Sequence, residues 1–235
     1  MSLADLSPPR ALIFDLDGTL VDTVPTRIEA WLRTFTETGI AAERDHVGGL
    51  MGADGRRVAH KVAQHAGRQL SEQEAERIDR RSGEIYSELN RDPQPLPGAR
   101  QLLLALDEAG FTWAIATSSR PEQVMASVDA LRLPRRPHIT DGSHVQHAKP
   151  APDLLLHAAR ELGLRPAECW YVGDSVWDVL AARAAGLPAV AVTSGSTSAE
   201  ELRGAGADAV SGPAEIAAEL ARRGLLAAEP ARRFG

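Results

Sequence analysis

The sequence predicts an α/β protein, a doubly wound parallel sheet with a second, smaller helical domain inserted into it. Three observations carry this. Short apolar runs at residues 10–16, 111–117, 169–173 and 188–192 are each followed by turn residues, and helical patterns separate the last three. The run at 10–16 is almost continuously apolar, as expected of a strand covered by helices on both faces. Residues 23–93, between that run and the next, show helical spacing and no strand pattern.

In chain order, Met1 to Pro9 reads as a loose start without the apolar stretch of a secretory signal. Arg10–Leu16 is the first strand. TRIEAWLRTFTETG, DGRRVAHKVAQHAG and SEQEAERIDRRSGEIYSEL then combine charged faces, apolar residues at helical spacing and glycine stops. RDPQPLPG, residues 91–98, is a proline-rich connector that must interrupt a helix. Beyond it come a helix at 99–109, the strand at 111–117 and a helix opened by Pro121. A short strand near His138–Thr140, a helix from Pro152, the strand 169–173 and a helix from Val176 follow. The strand 188–192, a weak strand near Asp208–Val210 and the helix AEIAAELARRG close the domain. The Ala/Arg-rich tail after Leu225 reads as disordered. The division is therefore a core of 1–22 and 94–235 with a helical cap of 23–93. Hinges near Asp22–Pro25 and Arg91–Pro97 predict an opening motion.

Composition narrows the function classes. The chain has 235 residues, 43% hydrophobic and 25% charged, enough for a core domain with an insert. A net charge of −6 offers no general attraction to nucleic acid or an anionic membrane. No apolar run approaches the roughly 20 residues of a membrane span. Cys169 is the only cysteine, which excludes an intrachain disulfide and argues against a thiolate metal site. The expectation is a cytoplasmic protein, a monomer or weak homodimer, without nucleic-acid or membrane partners. Of 26 basic residues only Lys61 and Lys149 are lysine.

Four stretches could carry chemistry. In ALIFDLDGTLVDT, Asp15 and Asp17 share one face of a strand end, and Gly18 permits a tight turn. Alone, such a pair could simply close an Asx-type turn. In WYVGDSVWD a second strand ends in acid, Asp174, with Asp178 one helical turn on. Alone, Asp178 could be an acid favoured by the helix dipole. A parallel sheet places all such strand ends on one edge, where open α/β sheets bind ligands. Three or four carboxylates converging there require a cation, and oxygen donors without thiolates point to Mg²⁺. In FTWAIATSSR a third strand ends in Thr117, Ser118 and Ser119, suited to a phosphate at a helix start or to plain capping. In QHAKPAPD, Lys149 precedes Pro150, Pro152 and Asp153 in an extended loop, a compact point charge in a chain that otherwise selects arginine.

Together, in this order, the motifs resemble those of the haloacid-dehalogenase superfamily. DLDGTLVDT matches its first motif, ATSS the second, KPAPD the third and GDSVWD the fourth, across about residues 10–210. The helical insert looks like that superfamily's small α-helical (C1) cap. The chain looks closest to the branch of phosphoglycolate phosphatases and β-phosphoglucomutases. The resemblance implies a Rossmann-like core and a Mg²⁺-dependent phosphatase acting on a small phosphorylated metabolite, such as a sugar phosphate or phosphoglycolate. Asp15 would be the nucleophile and Asp17 the acid and base. Mg²⁺ would be held by Asp15, the Asp17 main-chain carbonyl and Asp174, with Asp178 orienting a ligand or metal-bound water from behind. Thr117, Ser118 and Lys149 would hold the phosphoryl group.

Related activities fit less well. Dehalogenases of this superfamily typically lack the second aspartate of the DxD pair. Phosphonatases use a cap lysine, and Lys61 lies further along than that pattern places it. The mutases carry a histidine where this chain aligns Arg27, and their fourth motif often reads Glu-Asp rather than Gly173-Asp174. Arg27, Arg56 and Arg57 are candidate substrate contacts, the last two in the cap loop GGLMGADGRR (48–57). Trp177 could line the entrance or merely pack under the sheet.

Overall fold

The computed structural model describes residues 2–145 and 147–226. Within them lies one six-stranded parallel sheet of β1 (Ala11–Phe14), β2 (Thr112–Ala116), β3 (Ile139–Thr140), β4 (Cys169–Gly173), β5 (Ala189–Ala191) and β6 (Ala209–Val210), in the order β3-β2-β1-β4-β5-β6. The helices are α1 (Val24–Glu37), α2 (Arg44–Gly48), α3 (Gly55–His65), α4 (Glu72–Leu89), α5 (Ala99–Glu108), α6 (Pro121–Ala130), α7 (Asp153–Glu161), α8 (Val176–Ala185), α9 (Ala199–Gly204) and α10 (Pro213–Arg222).

Alternation along each strand builds two cores. Leu12, Phe14, Trp113, Ile115, Trp170 and Val172 face one way, against α5, α6 and α10. Ala11, Ile13, Ala116, Cys169, Tyr171 and Ala189 face the other, against α7, α8 and α9. Leu12 sits in register with Trp113 on one side and Trp170 on the other. Each large apolar side chain buried here contributes roughly 1.5–3 kcal/mol against exposure. β1, the central strand, is buried throughout, which is why its sequence is apolar without alternation.

Helices α1 to α4 form a third cluster of their own. Ile28, Trp31 and Phe35 of α1 meet Val58 and Val62 of α3 and Ala75 and Ile78 of α4. Their spacing of three to four residues places them on single helix faces. The chain enters and leaves this segment through adjacent strips. Val21 bridges Pro95, Asp22 N donates to Gln94 O at 2.9 Å, and Leu96 N to Leu20 O at 2.9 Å. The proline-rich connector thus lies beside the exit from β1.

Three expectations need adjustment. The N-terminus is not loose: Leu3 and Leu6 are buried in the core. Arg223 donates to Leu6 O at 2.9 Å and Leu3 O at 2.8 Å, and Trp170 Nε1 to Ser7 O at 3.0 Å. α9 was not anticipated, although Ser198 and Glu201 form the capping box that signals it. β1 ends at Phe14, short of both aspartates, and the chain turns further on at Gly18, whose φ is +81°. The expected disordered tail lies outside the described residues from 227 onward. Among the described residues no helix is long and apolar enough to cross a membrane.

Candidate active site

The loops leaving β1, β2, β3 and β4 meet at the carboxyl edge of the sheet. Asp15 follows β1, its N–H fixed by Val172 O at 2.8 Å. Lys149, from the loop between β3 and α7, reaches Asp15 Oδ1 at 2.5 Å and Asp178 Oδ1 at 2.7 Å. All three side chains are buried. Asp178 stands there because it closes the capping box of α8, accepting from Ser175 N at 3.0 Å and Ser175 Oγ at 2.5 Å. Tyr171 Oη donates to its other oxygen at 2.8 Å. With both oxygens engaged, Asp178 orients Lys149 rather than pointing outward.

Asp174 is held by Thr19 Oγ1, which donates to Oδ1 at 2.9 Å. Its Oδ2 occupies space that a Cβ at Gly18 or Gly195 would overlap. Asp15, Asp174 and Asp178 offer oxygens that all lie within 4.8 Å of one another. Fully ionised, these three carboxylates against the single Lys149 ammonium leave two negative charges in a buried site. A divalent cation with hard oxygen preference fits that donor set and that charge.

Asp17 takes a different direction. Both aspartates line the same cavity and Leu16 between them is buried beneath, as their spacing suggests. The two carboxylates nevertheless engage different partners. Asp17 accepts from Arg27 Nη2 at 2.8 Å, Ser119 Oγ at 2.6 Å, Thr23 Oγ1 at 2.7 Å and Tyr86 Oη at 3.1 Å. It therefore stands outside the group of three oxygens that could share a metal. Arg27, expected as a substrate contact, lies in the cavity wall but is engaged with Asp17, with its guanidinium over the Tyr86 ring at 3.9 Å.

Thr117 and Ser118 also line the cavity. Thr117 Oγ1 accepts from Ser119 N at 3.1 Å, shaping the turn. Ser118 Oγ is buried without a hydrogen-bond partner, an orphan that an anion's oxygen would satisfy. The cavity, about 610 Å³, lies between this edge and the α1–α4 segment, and the loop 48–57 forms part of its wall as expected. Arg56 lines it. Arg57 does not, and sits 5.7 Å from the Trp177 ring. Trp177 packs against the helical cluster rather than under the sheet. Lys61 is exposed on α3, away from the cavity wall.

Electrostatics separate the carboxyls. Burial, opposed by Lys149 and reinforced by Asp178 and Asp17, pushes Asp15 up to about 7. Burial and the neighbouring Asp178 and Asp15 push Asp174 well above the carboxylate range. Burial acts on Asp17 in the same sense, but the Arg27 charge and hydrogen bonds from Ser119, Thr23 and Arg27 outweigh it and hold its carboxyl low. Burial alone would lower Lys149, yet Asp15 and Asp178 raise it above its ordinary value, so it remains charged.

Thr19, Thr23, Tyr86, Tyr171 and Gly195 complete the site without a role predicted from the sequence, and Ser119, offered with Thr117 and Ser118 for an anion, donates to Asp17. Thr19, Thr23 and Ser119 lay inside or beside recognised motifs. Tyr86 and Gly195 carried no local signal.

The chain is similar to known enzymes over most of its length. It is 34% identical to phosphoglycolate phosphatase 1 of Pseudomonas aeruginosa over 80% of this chain and 70% of that protein. It is likewise 34% identical to hexitol phosphatase A of Escherichia coli, over 78% of this chain and 82% of that one. The crystal structure of a hydrolase from Pseudomonas syringae superposes with a TM-score of 0.83 at 32% identity, covering 90% of this chain and 98% of that one. The family model of haloacid dehalogenase-like hydrolases matches residues 9–186. With the four motifs gathered at one sheet edge, the chain belongs to the haloacid dehalogenase-like hydrolase family.

Proposed function

We propose that the protein is a Mg²⁺-dependent phosphatase that hydrolyses a small phosphomonoester through an aspartyl-phosphate. The observation that carries this reading is Asp15, buried in the cavity wall, paired with Lys149 and grouped with Asp174 and Asp178. Relatives named as phosphatases of phosphoglycolate and of hexitol phosphates support the same class of substrate.

A carboxylate oxygen of Asp15 attacks phosphorus, the ester P–O bond breaks, and the leaving alkoxide takes a proton from Asp17. Water then attacks the phosphorus of the aspartyl-phosphate and gives a proton to Asp17. The bond to Asp15 breaks and inorganic phosphate departs. Lys149, Thr117 and Ser118 hold the phosphoryl oxygens as charge redistributes over them. Asp15, Asp174 and the Asp17 carbonyl would hold Mg²⁺, which supplies charge neutralisation for the phosphoryl group. Since Arg27 keeps Asp17 ionised, Asp17 must exchange that partner for a proton before it can act as a donor. Residues 23–93 serve as a lid hinged at the paired connectors and exclude bulk water from the intermediate.

The test is phosphate release from p-nitrophenyl phosphate and a panel of phosphomonoesters, with Mg²⁺ and with EDTA. Activity abolished by EDTA, and lost with the phospho-adduct in Asp15→Asn, is expected. Full activity in metal-free buffer, or an adduct on another residue, overturns the reading.

A further inference from the structure

The cavity is wider than the phosphoryl site, and its wall also carries an ion cluster. Arg120, the residue after the Thr117–Ser119 turn, donates through Nη2 to Glu76 Oε1 at 2.8 Å and Asp79 Oδ2 at 2.7 Å, both on α4. Arg56 Nε lies 3.5 Å from Asp54 Oδ1 and 4.0 Å from Glu76 Oε2. All of these residues line the cavity.

Counting charges shows what this wall favours. Arg56 and Arg120 stand against Asp54, Glu76 and Asp79, so the cluster holds two positive and three negative groups. Even with Asp79 protonated it has no surplus positive charge. The third arginine of the wall, Arg27, is matched by Asp17, and Lys149 by Asp15 and Asp178. A leaving group bearing its own carboxylate or second phosphate would meet no unmatched cation among the described residues lining the cavity. It would have to displace Glu76 or Asp79 from Arg120.

A hydroxyl group faces no such cost. It both donates and accepts, so it can bridge a guanidinium N–H and a carboxylate oxygen without breaking their pairing. The buried Ser82 hydroxyl and the Gln123 amide extend the same mixed lining. A volume of about 610 Å³ falls within the roughly 300–1,000 Å³ common for small-molecule sites.

We propose that the Arg120–Glu76–Asp79 cluster, with Arg56, reads the leaving group and selects neutral polyhydroxylated phosphomonoesters over esters that carry a second anionic group. The proposal rests on the phosphatase reading above and narrows its substrate class. It makes Glu76, Asp79 and Arg120 specificity determinants contributed from both sides of the cavity.

A matched pair of esters tests it. Glucitol 6-phosphate and 6-phosphogluconate share chain length and phosphate position, and differ mainly in a terminal hydroxymethyl against a carboxylate. With Mg²⁺ present, kcat/KM for the polyol ester is expected to exceed that for the acid by about tenfold or more. Glu76→Gln and Asp79→Asn are expected to raise KM for the polyol ester more than they change kcat, and to shift the preference towards the acid. The ratio of the two substrates within one variant is independent of how much of that variant folds. Equal or greater kcat/KM for 6-phosphogluconate in the unmodified protein, or variants that affect both esters equally, overturns the proposal while leaving the phosphatase reading intact. No phosphate release from any ester, p-nitrophenyl phosphate included, overturns both.

Discussion

Arg27 Nη2 lies 2.8 Å from Asp17 Oδ2, a partly buried pair joining helix α1 to the turn that follows β1. Position 27 in the helical segment thereby controls the protonation of the residue proposed as acid and base.

Replacing Arg27 with Gln should release Asp17 upward. The Arg27 charge favours the ionised carboxylate, so without it the alkaline limb of kcat/KM, where the acid must be protonated, should move to higher pH. The folded-state pKa of Asp17 is depressed, so its contribution to stability is present above the unfolded pKa and lost as pH falls through the folded pKa. The deficit of Arg27→Gln, about 3 kcal/mol by urea unfolding at pH 7, should therefore shrink near pH 3. An unmoved pH profile would separate Arg27 from the proton transfer.

Lys149 is the shared counter-ion of two buried carboxylates. Lys149→Met should lower kcat by on the order of 10²–10³-fold and lower Tm, because Asp15 and Asp178 lose their common counter-charge. Lys149→Arg should remain impaired, since a planar guanidinium does not reproduce a point charge between two oxygens. Steady-state kinetics checks both, and full activity in the arginine variant would contradict the assigned geometry.

Gly195 is packed against Asp174 Oδ2 with no room for a Cβ. Gly195→Ala should displace that carboxylate and raise the Mg²⁺ concentration for half-activation by about 10–100-fold. Mg²⁺ titration of phosphate release measures this, and an unchanged midpoint would remove Asp174 from the proposed ligand set.

Metal and proton should compete. Asp15 and Asp174 have folded-state pKa values above their ordinary range, so the folded metal-free protein binds more protons at these groups than the unfolded chain. Their contribution to stability therefore falls as pH rises from about 4 to 7. Mg²⁺ should restore it, giving a larger Tm increase at pH 8 than at pH 5.5. At a hundredfold excess over Kd the stabilisation is about 2.7 kcal/mol, or roughly 5–10 °C for a chain of this size. Thermal unfolding with and without Mg²⁺ at the two pH values tests the order.

Much of this was legible residue by residue. The apolar runs leading into Asp15, Thr117 and Asp174 located three strands, because strand burial and turn chemistry are written locally, although the first was drawn two residues too long at its end. Ser175 and Asp178 carried a capping box in plain view, and Ser198 and Glu201 carried another that announced α9. The scarcity of lysine singled out Lys149, which proved to be buried against Asp15. The N-terminus misled because its few apolar residues, Leu3 and Leu6, have no periodicity; Arg223, far along the chain, holds their backbone down.

By itself the sequence determined the layer architecture, the order of the elements and the acids at the strand ends, since each depends on patterns a few residues long. The partners of those acids were decided only in three dimensions. Tyr86 meets Asp17 across 69 residues, Arg120 meets Asp79 across 41, and Lys149 meets Asp15 across 134. Such contacts depend on how the α1–α4 segment docks over the sheet edge and how its loops close, and no local pattern encodes that docking. Buried charge then made the pairing selective, because an ion removed from water is tolerated only where a partner of opposite sign is already in place.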